Sequence, residues 1–251
     1  MATKIRRIAM WSGPRNISTA LMRSWENRPD TWVCDEPFYA HYLLNSDADH
    51  PGKDVVIANQ ENDWRKVVDA LLGPVPGNHS VFYQKHMTHH FFPQMEGDWL
   101  RQLDHVFLLR DPRAMLLSLI KIIQTPVLRD TGLKQQCELF RLVHAITGKP
   151  PLVINSADIL KDPATSMQKL CMALQLPFFA EMLNWPAGPR DTDGIWSKWW
   201  YDAVIASTGF KSYVEISTEL PDDLQVLYQE CLPYYQEMAE SCLVVNESTS
   251  R

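Results

Sequence analysis

The 251-residue sequence predicts an α/β fold: a mostly parallel central sheet of about five strands with helices on both faces, three layers in all. Three observations predict it. Short apolar runs alternate with segments whose apolar residues recur at helical spacing. The run Val106–Leu109 is apolar throughout, as suits a strand covered on both faces. Asp111-Pro112 and Asp162-Pro163 each open a helix, with a capping carboxylate followed by a first-turn proline.

In chain order, Ile5–Met10 is the first strand, and Ser18–Trp25 the first helix. Trp32–Cys34 is a second, short strand. Trp64, Val67, Val68, Leu71 and Leu72 fall on one helical face, which Gly73-Pro74 ends. Val81–Gln84 and Val106–Leu109 are the third and fourth strands. The helix Ala114–Ile123 is apolar nearly all round and therefore expected to be buried. Leu133–Thr147 is another helix and Leu152–Ile154 the fifth strand. Met167, Leu170, Cys171 and Leu174 give the next helix its buried face. Beyond Pro177 the chain is irregular and rich in Trp, Pro and Gly up to Phe210. A last helix starts near Asp222, with Leu224, Leu227, Tyr228 and Cys231 on one face, and Pro233 is expected to kink or end it. The tail 246–251 is expected to fray. The whole reads as one domain, 1–251, in which about 178–251 forms an aromatic-rich lid and the final helix.

Hydrophobic residues make up 45% and charged residues 22%, the balance of a soluble globular chain with a full core. The net charge of −6 disfavours nucleic acid or an anionic membrane as partner, since both call for basic surfaces. No apolar run is long enough to span a bilayer, and no signal peptide is evident. The five cysteines lack regular spacing, which suits free thiols in the cytoplasm. Oligomeric state leaves no signature.

Each strand ends in polar or ionisable residues: Gly13-Pro14-Arg15, then Asp35-Glu36, Lys85-His86 and Arg110-Asp111. In open α/β sheets, ligands bind beyond the carboxyl ends of the strands, so a parallel sheet would gather these groups into one crevice. Gly13, Pro14, Arg15, Asn16, Ile17, Ser18 and Thr19 form a strand–turn–helix suited to an anion. The first N–H groups of the helix are free to point at it, and the helix dipole adds positive charge. The loop lacks the Gly-Lys-Ser/Thr ending of an ATP or GTP loop. Arg110 closes a buried strand, and Ser118 lies two turns into the following helix. An arginine fork and a hydroxyl there make a second anion site. Two such sites imply a ligand with two phosphate-like groups.

These motifs resemble those of the sulfotransferase family, which uses 3′-phosphoadenosine-5′-phosphosulfate as donor. Gly13-Pro14-Arg15-Asn16-Ile17-Ser18-Thr19 is similar to the family's first motif, closest to bacterial forms. Arg110-x-Pro112 with Ser118 eight residues after the arginine matches the second. The resemblance is strongest over Lys4–Gly52 and Gln84–Lys121. It departs at Ile17, where bacterial forms carry glycine, and in lacking an Arg-Lys-Gly near the C-terminus.

The resemblance implies a P-loop NTPase-like fold and sulfuryl transfer to a hydroxyl or amine of a small molecule, with no metal. It implies that Arg15 steadies charge on the bridging oxygen while residues 16–19 cradle the 5′-phosphosulfate. Arg110 and Ser118 would bind the 3′-phosphate. For the base, Glu36 is preferred over His86, with His89 and His90 in reserve, and Lys85 would help neutralise the sulfuryl group. Lys198 is a candidate for the missing basic contact, and Trp196, Trp199, Trp200 or Tyr201 for stacking on adenine or lining the acceptor pocket. A metal held by His86, His89 and His90 with His41 or Glu36 is disfavoured for want of a fixed ligand motif. The rivals are a nucleotide-dependent phosphotransferase or hydrolase, and a non-catalytic nucleotide-binding module of the same fold.

Overall fold

The computed structural model describes residues 5–243, which leaves the tail expected to fray outside the described residues. Its strands are β1 (Arg6–Ser12), β2 (Thr31–Asp35), β3 (Val81–Met87), β4 (Asp104–Leu109) and β5 (Leu152–Asn155). All pair in parallel, in the order β2-β3-β1-β4-β5. The chain leaves β1 towards β2 on one side and leaves β4 towards β5 on the other. A crevice therefore opens between the carboxyl ends of β1 and β4.

The pleat of β1 explains the two helical layers. Ile8 and Met10 enter one core with Leu21, Met22 and Trp25 of α1 (Ser18–Glu26). Ala9 and Trp11 enter the other with Leu116 of α5 (Pro112–Leu119) and Phe140 of α7 (Leu133–Thr147). Alternate strand residues face opposite sides, and each fully buried large apolar side chain stabilises by about 1.5–3 kcal/mol. The helix α9 (Pro163–Ala173) completes the first layer, and α12 (Gln225–Ala239) the second.

Four shorter helices had no strong periodic signal: α2 (Tyr39–Leu44), α3 (Lys53–Asn59), α6 (Leu128–Thr131) and α8 (Ser156–Lys161). The amphipathic α4 (Trp64–Leu72) is capped by Asp63, whose side chain accepts from Arg65 N.

Two expectations are corrected. The helix after β4 stops at Leu119 rather than Ile123, and the chain continues in a turn in which the N–H groups of Ile122 and Ile123 share Leu119 O. Ile122 is 46% exposed there, so the apolar run outlasts the core that could cover it. At the other end of the chain, α12 passes through Pro233 without ending. The Trp-rich stretch is also more ordered than its composition suggests. It contains α10 (Ser197–Trp200) and α11 (Asp202–Ile205), and a bridge joins Asn184 to Gly209.

Candidate active site

The loop between β1 and α1 is shaped by close packing. A Cβ on Gly13 would lie 2.9 Å from Thr131 O, so only glycine lets the 131–132 turn approach. Asn16 pins the loop to the neighbouring strand, donating to Leu108 O at 2.9 Å, and its Oδ1 accepts from Ile17 N. Ile17 has φ −83° and ψ 24°, an ordinary conformation for a side-chain-bearing residue, so its departure from glycine costs nothing here. The strain falls on Arg15 instead, at φ 56°. Ile17 makes no side-chain cap and the first turn of α1 holds no acid, so the leading N–H groups remain available to a ligand.

Arg15 and Arg110 meet where two strands end, and Ser118, expected to accompany Arg110, instead pairs with Arg15. Arg15 Nε donates to Ser118 Oγ at 3.0 Å, and Arg110 donates to the Arg15 carbonyl. Burial pushes the pKa of both guanidiniums down, and for Arg110 the charge of Arg15 pushes it further. Two cations are thus crowded at the carboxyl ends of adjacent strands, an arrangement suited to an anion. Pro14 to Thr19 and Arg110 line a cavity of about 1710 Å³; Gly13 and Ser118 are not part of its lining.

Beside them lies a buried cluster. Lys85 Nζ is 2.8 Å from Asp35 Oδ1, 2.5 Å from Glu36 Oε1 and 2.7 Å from the Tyr201 hydroxyl. That hydroxyl also donates towards Asp35, 2.7 Å from Oδ2. Burial alone would strip the Lys85 proton, but Asp35 and Glu36 hold its pKa well above the ordinary value. Burial raises the Glu36 carboxyl pKa, against the opposing pull of Lys85. Glu36 also sits at a positive φ of 40°. Two of the three non-glycine residues with positive φ among those described, Arg15 and Glu36, therefore line this one cavity, the pattern of strain held at a working site.

His86 is placed elsewhere. Adjacent strand residues face opposite sides, so Lys85 turns to Asp35 while His86 stacks on Trp11 at 4.2 Å and Phe38 at 5.5 Å. It is 1% exposed, its Nε2 meets Gln84 Oε1 at 3.3 Å, and it does not line the cavity. Burial first, then His105, lowers its pKa to about 3. The structure thus brings Glu36 and Lys85 to the cavity and keeps His86 from it. Among the described residues no group of three or more His, Cys, Asp or Glu is arranged to hold a metal ion.

The wall opposite the loop is aromatic. Tyr39, Tyr42, His50, His89, His90 and Trp200 all line the cavity, and Tyr39 and Tyr42 stack on His90 at 4.9 and 4.6 Å. Sequence reasoning held His89 and His90 only in reserve and missed Tyr39, Tyr42 and His50. Tyr39 and Tyr42 lie three residues apart on one helical face, but α2 is only six residues long and its spacing alone does not mark a site. Trp196 and Tyr201 are buried against Tyr39, Ala40, Leu43 and Val56, and the Trp199 ring covers Gly52. Gly194 N bonds Asp35 Oδ2 at 3.1 Å, and Asp193 pairs with buried Arg23 at 2.7 Å. This segment packs along one side of the cavity, to whose lining it contributes Trp200 and Tyr201. Lys198 packs over Trp199 and does not line the cavity; Lys211 does.

A family profile described as "Sulfotransferase domain" matches residues 6–242. The chain is 34% identical over 229 residues to branched-chain-amino-acid aminotransferase-like protein 2 of Arabidopsis thaliana, covering 91% of this chain. It is 35% identical over the same length to branched-chain-amino-acid aminotransferase-like protein 1 of that plant. In each case the chain spans 40% of the relative's length. Its fold is similar to the crystal structure of a sulfotransferase from Alicyclobacillus acidocaldarius, with TM-score 0.55 and 14% identity, covering 95% of this chain and 97% of that one. No helix among the described residues is long and apolar enough to cross a membrane. With the profile matched from the first strand to the end of the described fold, the chain belongs to the sulfotransferase family and is a sulfotransferase domain.

Proposed function

We propose that this domain moves a sulfuryl group from 3′-phosphoadenosine-5′-phosphosulfate to a hydroxyl or amine of a small molecule, without a metal. The observation that carries the donor is the convergence of Arg15 and Arg110 at the carboxyl ends of adjacent strands. The loop N–H groups and the Ser18 and Thr19 hydroxyls would hold the 5′ end. Arg110 would hold the 3′-phosphate, joined by Ser118, whose hydroxyl is bonded to Arg15 Nε, and by Lys211 as a further cation lining the cavity. When bound, the donor supplies a sulfuryl group on a good phosphate leaving group.

This chain's residues position and neutralise. The Glu36 carboxylate takes the acceptor proton as the new bond to sulfur forms. Arg15 stabilises the electron pair left on the phosphate oxygen as the old bond breaks, and Lys85 holds Glu36 in place and shields developing charge. The loop without Gly-Lys-Ser/Thr argues against an ATP- or GTP-dependent phosphotransferase. The cysteines at 34, 137, 171, 231 and 242 are free thiols, which supports a cytoplasmic setting.

The test is transfer of isotope-labelled sulfur from the donor to a panel of small hydroxyl and amine compounds. Labelled product from the parent protein, and its loss with Arg15→Ala, is expected. Transfer that persists undiminished without Arg15 would overturn this assignment.

A further inference from the structure

The sheet order divides the cavity electrically. The ends of β1, β4 and β5 deliver the donor side, where the cations Arg15, Arg110, Arg113, Lys161 and Lys211 outnumber the carboxylates Asp111, Asp158 and Glu215. The ends of β2 and β3 deliver the other side, with the rings of Tyr39, Tyr42, His50, His89, His90 and Trp200. Cationic charge on this second side is already engaged. Lys85 is paired with Asp35 and Glu36, and Arg129 lies 3.2 Å from Asp47. Asp35 and Glu36 together exceed Lys85 by one negative charge, and Asp130 adds another to the lining. The Tyr42 hydroxyl, held protonated first by burial, also feels Arg129, Asp130 and Asp47, which places those charges at the aromatic end.

A second observation is independent of charge. His90 is 2% exposed, lines the cavity and has a buried Nδ1 with no hydrogen-bond partner among the described residues. The Nδ1 of His89 beside it is also unpartnered. A buried polar atom without a partner is costly unless a ligand supplies one. Burial holds both rings neutral, so each retains a nitrogen lone pair that accepts a hydrogen bond. An aromatic lining, an unpartnered Nδ1 that accepts when the ring proton sits on Nε2, and surplus carboxylate suit a ligand that brings positive charge and N–H donors.

We infer that the acceptor is a small hydroxyl compound carrying an ammonium group, seated with that group against Tyr42, His89 and His90 and with its hydroxyl towards Glu36. This rests on the donor reading above. The reaction balances without redox: the hydroxyl oxygen bonds to sulfur, its proton passes to the Glu36 carboxylate, and the sulfur–oxygen bond to the 5′-phosphate breaks with its electron pair on the phosphate.

The test uses the whole protein saturated with 3′-phosphoadenosine-5′-phosphate and three probes of one shape: tyramine, p-propylphenol and p-hydroxyphenylpropanoate, which are cationic, neutral and anionic. Calorimetry is expected to show tyramine binding about tenfold tighter than the neutral probe, and the anion weakest. Tyr42→Leu should erase the preference for tyramine and Tyr42→Phe should retain it. Equal binding of the three, preference for the neutral or anionic probe, or no binding of tyramine would overturn the inference while leaving the donor reading intact. Failure of the nucleotide itself to bind would overturn the donor reading, and this inference with it.

Discussion

Lys85 Nζ and Glu36 Oε1 lie 2.5 Å apart at the floor of the cavity, and the same ammonium is 2.8 Å from Asp35 Oδ1. One buried cation is shared between two carboxylates from the end of β2. Asp35 is almost wholly enclosed, while the Glu36 side chain keeps 12% of its surface exposed at the cavity. The arrangement leaves Asp35 to fix the lysine and Glu36 to meet a substrate.

Glu36→Gln is therefore expected to lower kcat by about 10²–10⁴-fold while the affinity for 3′-phosphoadenosine-5′-phosphate is unchanged. His86→Phe, which preserves the stack with Trp11 and Phe38, is expected to leave kcat at the parent level. Steady-state kinetics on both variants check the pair. The opposite pattern would assign the base to His86.

The pH profile carries a sign. Burial raises the Glu36 pKa, so the acid limb of kcat should lie above the ordinary carboxylate range of about 4.3. Activity is lost as pH falls through that raised value. The Tyr201 hydroxyl lies 3.4 Å from Glu36 Oε1 and favours its ionised form. Tyr201→Phe should then move the acid limb further up, an effect that loss of packing alone would not produce.

Stability should respond to acid through the histidines. Burial lowers the pKa of His86 to about 3 and that of His105 to about 4. A depressed folded pKa gives stability that is present above the unfolded value of about 6.5 and lost as pH falls towards the folded one. Each of these two histidines should contribute a slope of up to about 1.4 kcal/mol per pH unit between roughly pH 6 and pH 4. Urea midpoints measured across that range should fall less steeply in His86→Phe. An unchanged slope would contradict the neutral, buried state assigned to His86.

Gly52 tests the packing of the aromatic segment. It has φ 72°, and a Cβ there would lie 1.8 Å from Trp199. Gly52→Ala should destabilise by about 1–3 kcal/mol and raise the acceptor KM, with donor affinity unchanged. Thermal unfolding and initial rates together check it.

Much of this site was legible because it is built where strands end. Arg15, Glu36, Lys85 and Arg110 each follow an apolar run, and a parallel sheet gathers such ends on one side. The place of His86 was not legible because neighbouring strand residues point to opposite faces, and the sequence does not mark which of Lys85 and His86 faces the cavity. Its register partner Trp11 belongs to the packed core, which the pairing of β1 with β3 reveals. The Tyr201 hydroxyl reaches Asp35 from 166 residues away, beyond any local pattern. The aromatic end was hidden because α2 is only six residues long, too short for a periodic signal, and because it meets His89 and His90 only through the fold.

The central claim is that Arg15 and Arg110 form one two-site clamp for a nucleotide bearing both a 5′ and a 3′ phosphate. Calorimetric titration of the parent and of Arg110→Ala with 3′-phosphoadenosine-5′-phosphate, with ATP–Mg²⁺ as the comparison, tests it most directly. The account predicts that the parent binds the bisphosphate in preference to ATP–Mg²⁺. It predicts that Arg110→Ala weakens the bisphosphate by about 10–100-fold. Binding of ATP–Mg²⁺ alone, or bisphosphate affinity indifferent to Arg110, would contradict it.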